Sequence, residues 1–190
     1  MTDKTEQKIL DAALKIFSEE GFKGATTRVI AQESGFSELT LFRKFETKEN
    51  LFNSVLIKNR EDILEELDSM LVDKEFEDNK WFLETLIKNL AALTENNFEF
   101  VHILVYNKRQ IAGDILMEII SHISQYIERV SPEKYTDSQV FALNIFSFVY
   151  FVVFDKNRRN FFDCDKAINE FIDHSVKCCN ISWILLFISL

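Results

Sequence analysis

The chain has 190 residues, enough for one or two domains with a sizeable core. Apolar residues make up 47% of it and charged residues 28%, a balance that excludes a disordered chain. Only four glycines and one proline occur, too few for the many turns of a sheet protein, so we expect an all-α fold. The 19 phenylalanines predict either a generous core or an apolar cavity lined by rings.

The net charge of −9 argues by itself against nucleic-acid binding, but the acidic residues are unevenly distributed. Residues 1–50 carry eight basic and nine acidic side chains, a net of −1, which leaves −8 for the remainder. Within 23–48, five basic residues stand against three acidic ones. That stretch is therefore where we expect the chain to meet an anion.

Neither a membrane segment nor a secretory signal is expected. The first residues are polar, and the apolar runs at 140–154 and 181–190 are shorter than the roughly 18–20 residues that span a bilayer. We interpret the first run as a helix buried all round and assign no role to the second. Three cysteines, an odd number, form no disulfide framework and predict a cytoplasmic protein.

The first predicted helix covers 4–20. Its apolar residues recur at helical spacing and form one stripe, made of Ile9, Ala13, Ile16 and Phe17. Gly21 follows at the place where a helix ends in the left-handed conformation. The helix should therefore present one apolar face to the rest of the N-terminal region.

Three further N-terminal helices each follow a hydroxyl side chain that can accept a hydrogen bond from the unpaired backbone N–H groups of the first turn. The predicted caps and helices are Thr26 before 27–33, Ser37 before 38–45 and Thr47 before 48–71, with a turn at 34–36. Polar breaks then separate five more expected helices, at 79–96, 98–110, 113–130, 136–155 and 163–179.

The two short helices at 27–33 and 38–45 cannot bury their apolar residues alone, so both must pack on the stripe of the first helix. Polar and basic residues then remain on other faces: Thr27, Arg28, Glu38, Thr40, Arg43 and Lys44. A short helix held out in this way fits the major groove of DNA, where the base edges differ. The spacing alone leaves a second interpretation open, a helical hairpin with a solvated polar face.

About the first 55 residues carry a more specific pattern. Its residues are Ile9-Leu10-Asp11-Ala12-Ala13, Phe17, Gly21, Thr26-Thr27, Ile30-Ala31, Gly35-Phe36-Ser37, Thr40-Leu41-Phe42, Phe45, Lys48-Glu49 and Leu51. This pattern resembles the N-terminal signature of TetR-family transcriptional regulators. The resemblance implies a three-helix helix-turn-helix DNA-binding domain at 1–47 and a larger helical ligand-sensing and dimerisation domain at 48–190.

The resemblance also implies which residues contact double-stranded operator DNA. Thr27 and Lys48 would bind phosphates, where helix N-termini also attract anions. Phe42 stands where the family usually has Tyr and would only pack on sugar, while Lys44 stands where it often has His and adds a full charge. The residues left for reading base edges are Arg28, Glu38, Leu39, Thr40 and Arg43, with Ser37 at the start of the same helix.

The family's last two long helices pair with those of a second copy in a four-helix bundle, which implies a homodimer. The segments at 140–154 and 163–179 suit that role, with Asn144 as a polar group that sets the register. An internal core helix remains the alternative for 140–154.

The family's ligand cavity lies among the middle helices and implies an apolar small-molecule effector. Candidate wall residues are Trp81, Phe82, Leu86, Phe100, Ile103, Leu104, Tyr106, Met117, Tyr126 and Phe146. We interpret His102 and His122 as structural residues. His174 and Cys178 have the spacing of two metal ligands, but no third ligand lies nearby, so no metal and no cofactor are expected.

These observations favour a ligand-released repressor that binds a palindromic operator as a dimer. A DNA-binding structural or regulatory protein with no effector is the alternative. An enzyme is not expected, because the sequence contains neither a nucleophile elbow nor a phosphate-binding glycine loop.

Overall fold

The computed structural model describes residues 4–131 and 137–188, and all regular secondary structure within these ranges is helical. The prediction of an all-α fold is confirmed. The helices are α1 (Lys4–Gly24), α2 (Thr27–Ser34), α3 (Glu38–Phe45), α4 (Lys48–Met70), α5 (Asn79–Asn96), α6 (Phe98–Tyr106), α7 (Gln110–Val130), α8 (Ser138–Arg158) and α9 (Cys164–Ile188).

The helices form two compact units. Unit 1 comprises the described residues up to Glu65 together with Asn97–Met117. Unit 2 comprises Glu66–Asn96 together with the described residues from Glu118 onward. Unit 1 is thus built from two separate stretches of the sequence. The first contributes α1, α2, α3 and most of α4, and the second contributes α6 and the start of α7.

Unit 1 is organised around α1, which packs against α2 and α6. The predicted stripe on α1 is buried, as are Ile30, Leu41 and Phe52 from its neighbours. Gly21 has the expected positive φ of 68°, but its ψ of 170° is extended rather than left-handed helical. Because glycine alone adopts this conformation readily, α1 breaks there and resumes for one more turn before it ends at Gly24.

Unit 2 is a helical layer in which α5 packs against α8 and α9. The expectation that 140–154 is buried all round is wrong for the single chain. Val140, Leu143 and Phe151 on α8 are 52%, 44% and 60% exposed. By length and composition α8 is the one helix among the described residues that could cross a membrane, and half of it is buried within the protein.

Several helix bounds differ from prediction, among them the ends of α6 and α9. The predicted helix 98–110 ends at Tyr106, because Asn107 is extended and its side-chain oxygen accepts a hydrogen bond from the N–H of Arg109, 2.9 Å away. The last helix continues beyond 179 to Ile188, so the backbone of 181–188 extends α9.

Candidate nucleic-acid interface

Hydrogen bonds fix both ends of α2, and the second end forms the turn that leads into α3. The hydroxyl of Thr26 accepts from the N–H of Val29 at 3.2 Å and begins α2. Gly35 ends α2 in the left-handed conformation, with φ 76° and ψ 18°, and the N–H of Phe36 reaches back to the carbonyl of Ala31 at 3.0 Å. The predicted turn is confirmed, and its geometry sets the direction in which α3 leaves.

Helix α3 begins at a second hydroxyl cap, as predicted. Ser37 accepts from the N–H of Thr40 at 3.2 Å, and the two hydroxyl groups of these residues lie 3.0 Å apart. Leu41 and Phe45 point into the core of unit 1 and are almost fully buried. The opposite side of α3 is therefore left to solvent.

That exposed side combines two large apolar residues with basic ones. Leu39 is 60% exposed and Phe42 is 45% exposed. Arg28 on α2 and Arg43 on α3 are exposed as well. We call Arg28, Leu39, Phe42 and Arg43 the α3 surface. It can offer guanidinium groups to phosphates or guanine and apolar groups to sugars or thymine methyls.

Two residues that the resemblance places on DNA are paired with each other. The hydroxyl of Thr27 donates to the carboxylate of Glu38 at 3.2 Å, and both side chains are partly buried. This bond fixes the first turn of α3 against the first turn of α2. Either residue has to exchange this bond, or share it, in order to contact DNA.

Lys44 also has an intramolecular anionic neighbour. Its ammonium lies 3.7 Å from a carboxylate oxygen of Glu6 on α1, and a quarter of the side chain is exposed. Lys44 would have to exchange this neighbour for a phosphate oxygen in order to contact DNA.

Lys48 has a structural role that the sequence did not reveal. Its ammonium donates to the carbonyl oxygens of Phe22 and Ala25 at 2.8 and 2.9 Å, and lies 4.6 Å from the centre of the Phe22 ring. These carbonyls lack helical partners because α1 ends here. Lys48 therefore joins the start of α4 to the end of α1, with one ammonium hydrogen left for a phosphate.

The connection from α3 to α4 is strained at one residue. Glu46 has φ 64° and ψ −46°, and the N–H of Thr47 donates to the carbonyl of Phe45 at 2.7 Å around it. A side chain in this tight γ-turn is unfavourable. The hydroxyl of Thr47 then accepts from the N–H of Asn50 at 3.0 Å and begins α4, as predicted.

Arg109, just before α7, contacts two N-terminal helices of the same unit. Its guanidinium stacks over the ring of Phe22, 3.8 Å from the ring centre, and it forms an ion pair with Glu49 on α4. Lys48 contacts the same ring. No pattern in the sequence marks this cluster, because its members are separated by as many as 87 positions.

The ten predicted ligand residues are divided between the two units. Trp81, Met117 and Tyr106 are 42%, 48% and 58% exposed, and the remaining seven are buried. The phenol of Tyr126 donates to the carbonyl of Val72 at 3.5 Å, and burial raises the pKa of this phenol. The candidates in unit 1 are Phe100, Ile103, Leu104, Tyr106 and Met117, and those in unit 2 are Trp81, Phe82, Leu86, Tyr126 and Phe146.

The histidines make ordinary structural contacts. His102 stacks with Phe98 and Tyr106 along α6, and His122 lies 3.3 Å from the carboxylate of Asp68. The side chain of Cys178 lies outside the described residues, so the spacing of His174 and Cys178 stays untested.

The N-terminal part of the chain is similar to known bacterial regulatory proteins. Residues 9–55 match the family model of bacterial regulatory proteins, tetR family. The uncharacterized HTH-type transcriptional regulator YvkB of Bacillus subtilis is 37% identical over 70 residues, which span 35% of this chain and only 37% of that protein.

Solved structures resemble a much larger part of the chain. A bacterial regulatory protein in the tetR family from Rhodococcus RHA1 has a TM-score of 0.72 at 18% identity, covering 94% of this chain and 98% of that one. The transcriptional regulator FadR from Bacillus subtilis, in complex with stearoyl-CoA, has a TM-score of 0.63 at 18% identity, covering 90% and 97%. At this identity the likeness shows the fold.

Proposed function

We propose that this chain, whose residues 9–55 match the model of the tetR family of bacterial regulatory proteins, is a transcriptional regulator that binds a palindromic DNA operator as a homodimer. The observation that carries the proposal is the α3 surface. Helix α3 is short and capped at both ends, and it exposes Leu39, Phe42 and Arg43 on one side. A helix of this size and chemistry fits the major groove of DNA.

Phosphate contacts would position this helix. Lys44 supplies a charge beside α3, and the partly exposed N-terminus of α4 supplies the remaining hydrogen of Lys48 and the backbone N–H groups of the first turn. Thr27 would exchange its bond with Glu38 for a phosphate oxygen. The released carboxylate of Glu38 could then accept from a cytosine amino group, so one exchange couples positioning to base reading.

The exposed stripe on α8 supports the dimer. Val140, Leu143 and Phe151 lie on one helical face and Asn144 is exposed beside them, while the ring of Phe148 stacks on Phe171 of α9. Residues 138–154 contain no charged side chain. Interface cores are depleted in charge in the same way. We assign this face, called the α8 stripe, to contact with a second copy, which would present two α3 helices about 34–36 Å apart.

The more specific part of the proposal is that a small molecule controls the binding of the operator. The FadR structure holds stearoyl-CoA on a similar fold, and the buried rings of unit 2 include Phe82 and Tyr126, 6.3 Å apart. An apolar effector would release the repressor from its operator in the cytoplasm. A DNA-binding protein without an effector is the second candidate, and it predicts no compound-dependent change in operator affinity.

The test is selection of duplexes from a random library by the full chain, followed by fluorescence anisotropy between 50 and 200 mM salt. We expect an enriched palindrome. Lys44→Ala should weaken specific and random duplexes alike and flatten the log–log salt slope by about one unit, because one phosphate contact is lost. The matched control is Lys88→Ala, a half-exposed lysine of unit 2. Failure of the wild type to enrich any duplex at 50 mM salt would contradict the proposal.

A further inference from the structure

Two cations lie against one aromatic ring in unit 1, where the end of α1 meets the start of α4 and the residues before α7. The guanidinium carbon of Arg109 is 3.8 Å from the centre of the Phe22 ring, and the ammonium of Lys48 is 4.6 Å from it. Lys48 is fixed in addition by its bonds to the carbonyls of Phe22 and Ala25. Because the face of a ring attracts cations, Phe22 holds Arg109 at a defined place beside Lys48.

The same guanidinium binds the carboxylate of Glu49 on the first turn of α4. Its two terminal nitrogens face the two carboxylate oxygens, one pair in close contact and the other as a hydrogen bond of 3.4 Å. A two-point contact of this kind fixes the orientation of a carboxylate as well as its distance. The side chain of Arg109 is 32% exposed and that of Glu49 is 54% exposed. The better-buried partner, anchored on Phe22, therefore sets where the carboxylate lies.

The place of this carboxylate matters because Glu49 directly follows Lys48, which we propose above to bind a phosphate. A carboxylate left free there would repel the phosphate, and the N-terminus of α4 would attract the carboxylate as it attracts the phosphate. With Arg109 in place, the charge of Glu49 is balanced and its oxygens are already occupied. The positive charge of Lys48 is then not cancelled by its neighbour.

We propose that Arg109 is a positioning residue for DNA binding, which holds the Glu49 carboxylate away from the phosphate that Lys48 binds. Arg109 itself contacts no DNA in this assignment. The inference rests on the proposed function, because it concerns one phosphate contact of that function. It makes the second stretch of unit 1, Asn97–Met117, a part of the electrostatics of the DNA-binding face.

The test is a double-mutant cycle at Arg109 and Glu49, measured by fluorescence anisotropy of the full chain on the selected operator and on a random duplex. Arg109→Gln removes the charge, while its flat amide can still lie on the Phe22 ring. It should weaken both duplexes about fivefold at low salt, the effect of two like charges about 4 Å apart in water. The loss should shrink at about 200 mM salt, because ions screen the repulsion.

Glu49→Gln is the second side of the cycle. Added to Arg109→Gln, it should restore DNA affinity to within about twofold of the wild type, because the repelling carboxylate is gone. In the wild-type background the same change should raise affinity by less than about twofold, because Arg109 already holds the carboxylate. The melting temperature lost with the ion pair should not return in the double variant, so a merely structural role of Arg109 would not give this rescue.

Two further variants complete the design. Arg109→Lys keeps the charge beside Glu49 and should bind DNA within about twofold of the wild type, although it loses the two-point contact. Arg129→Ala is the matched control, since Arg129 pairs with Asp73 in unit 2, and it should leave DNA affinity unchanged. Circular dichroism and the melting temperature show that each variant is folded.

Three results would overturn the proposal. Wild-type affinity in Arg109→Gln would show that the ion pair has no effect on DNA binding. An equal gain from Glu49→Gln in both backgrounds would show that the two charges act independently. No gain in the Arg109→Gln background would show that Arg109 contacts the phosphate itself. All three require a wild type that selects an operator, so they are distinct from a failure of the proposed function, in which the wild type selects none.

Discussion

Two helices of this molecule, α3 in unit 1 and α8 in unit 2, leave large apolar side chains in water. The two helices differ in the residues that lie beside these side chains. On α3, Leu39 and Phe42 stand beside Arg43 and Lys44. On α8, the exposed stripe has no charged residue along four turns. Apolar groups mixed with cations suit a surface of sugars, methyls and phosphates, whereas an uncharged stripe suits another protein surface.

The largest expected effect comes from a charge in the α8 stripe. Phe151→Arg should raise the dimer dissociation constant at least 100-fold, because the guanidinium would be buried without a partner at the interface. Since Phe151 is 60% exposed in the single chain, helicity by circular dichroism should not change. Sedimentation velocity at micromolar concentration measures the shift.

The control for this change is Asn157→Arg, an exposed position on another face of α8, which should remain dimeric. A charge at Val152 would be less informative, because Val152 is 7% exposed and its change would disturb the core of unit 2. A wild type that is monomeric at micromolar concentration would show that the α8 stripe has another role.

The second effect separates folding from DNA binding at Lys48. Lys48→Ala removes two hydrogen bonds from a charged donor, and each such bond contributes about 1.5–3 kcal/mol. With partial solvent exposure we expect a loss of about 2–3 kcal/mol in the free energy of unfolding, measured by urea titration. Lys88→Ala should lie within about 0.5 kcal/mol of the wild type. An equally small change for Lys48→Ala would mean that its ammonium is not held by the carbonyls in solution.

The third effect tests the α3 surface. Leu39→Ala should leave the free energy of unfolding unchanged, because 60% of the side chain is in water. On the selected operator it should relax the preference at one thymine position by about 1 kcal/mol, the low end of a base contact. Anisotropy on operators with single substitutions measures this. Equal weakening on every operator would assign Leu39 to backbone packing instead.

The smallest effect concerns the strained turn at Glu46. Glu46→Gly should increase the free energy of unfolding by about 0.5 kcal/mol, because glycine relieves the positive φ but loses more entropy on folding. Glu46→Ala keeps the strain and should give no gain. If both variants were destabilised alike, the carboxylate itself would be contributing to the fold.

Local chemistry made much of the fold predictable. Thr26, Ser37 and Thr47 cap their helices as expected, and α5 has the predicted bounds because the charged loop before it and Asn97 after it limit it on both sides. The exposure of Arg43 on α3 also follows from helical periodicity, whereas Leu39 and Phe42 were expected at the surface only through the family resemblance.

Contacts between distant positions could not be predicted in the same way. The only role expected for Lys48 was to bind a phosphate. Nothing in the sequence shows that the carbonyl oxygens of Phe22 and Ala25, at the end of α1, lie within hydrogen-bonding distance of its ammonium. The partner of Arg109 lies 60 positions away. The exposure of α8 side chains in the single chain was not predicted from the sequence. An apolar run does not show whether the residues that bury it belong to the same chain or to another one.

Unit 1 takes its helices from two separated parts of the chain, up to Glu65 and again at Asn97–Met117. During synthesis, the N-terminal helices therefore leave the ribosome before the α6 segment that they pack against exists. At 5–20 residues per second this interval lasts roughly 3–10 s. During this interval the apolar stripe of α1 lies against α2 but is not yet covered by α6. The nascent chain is then a substrate for chaperones that bind exposed apolar surface. Unit 1 is complete only after translation has passed residue 117.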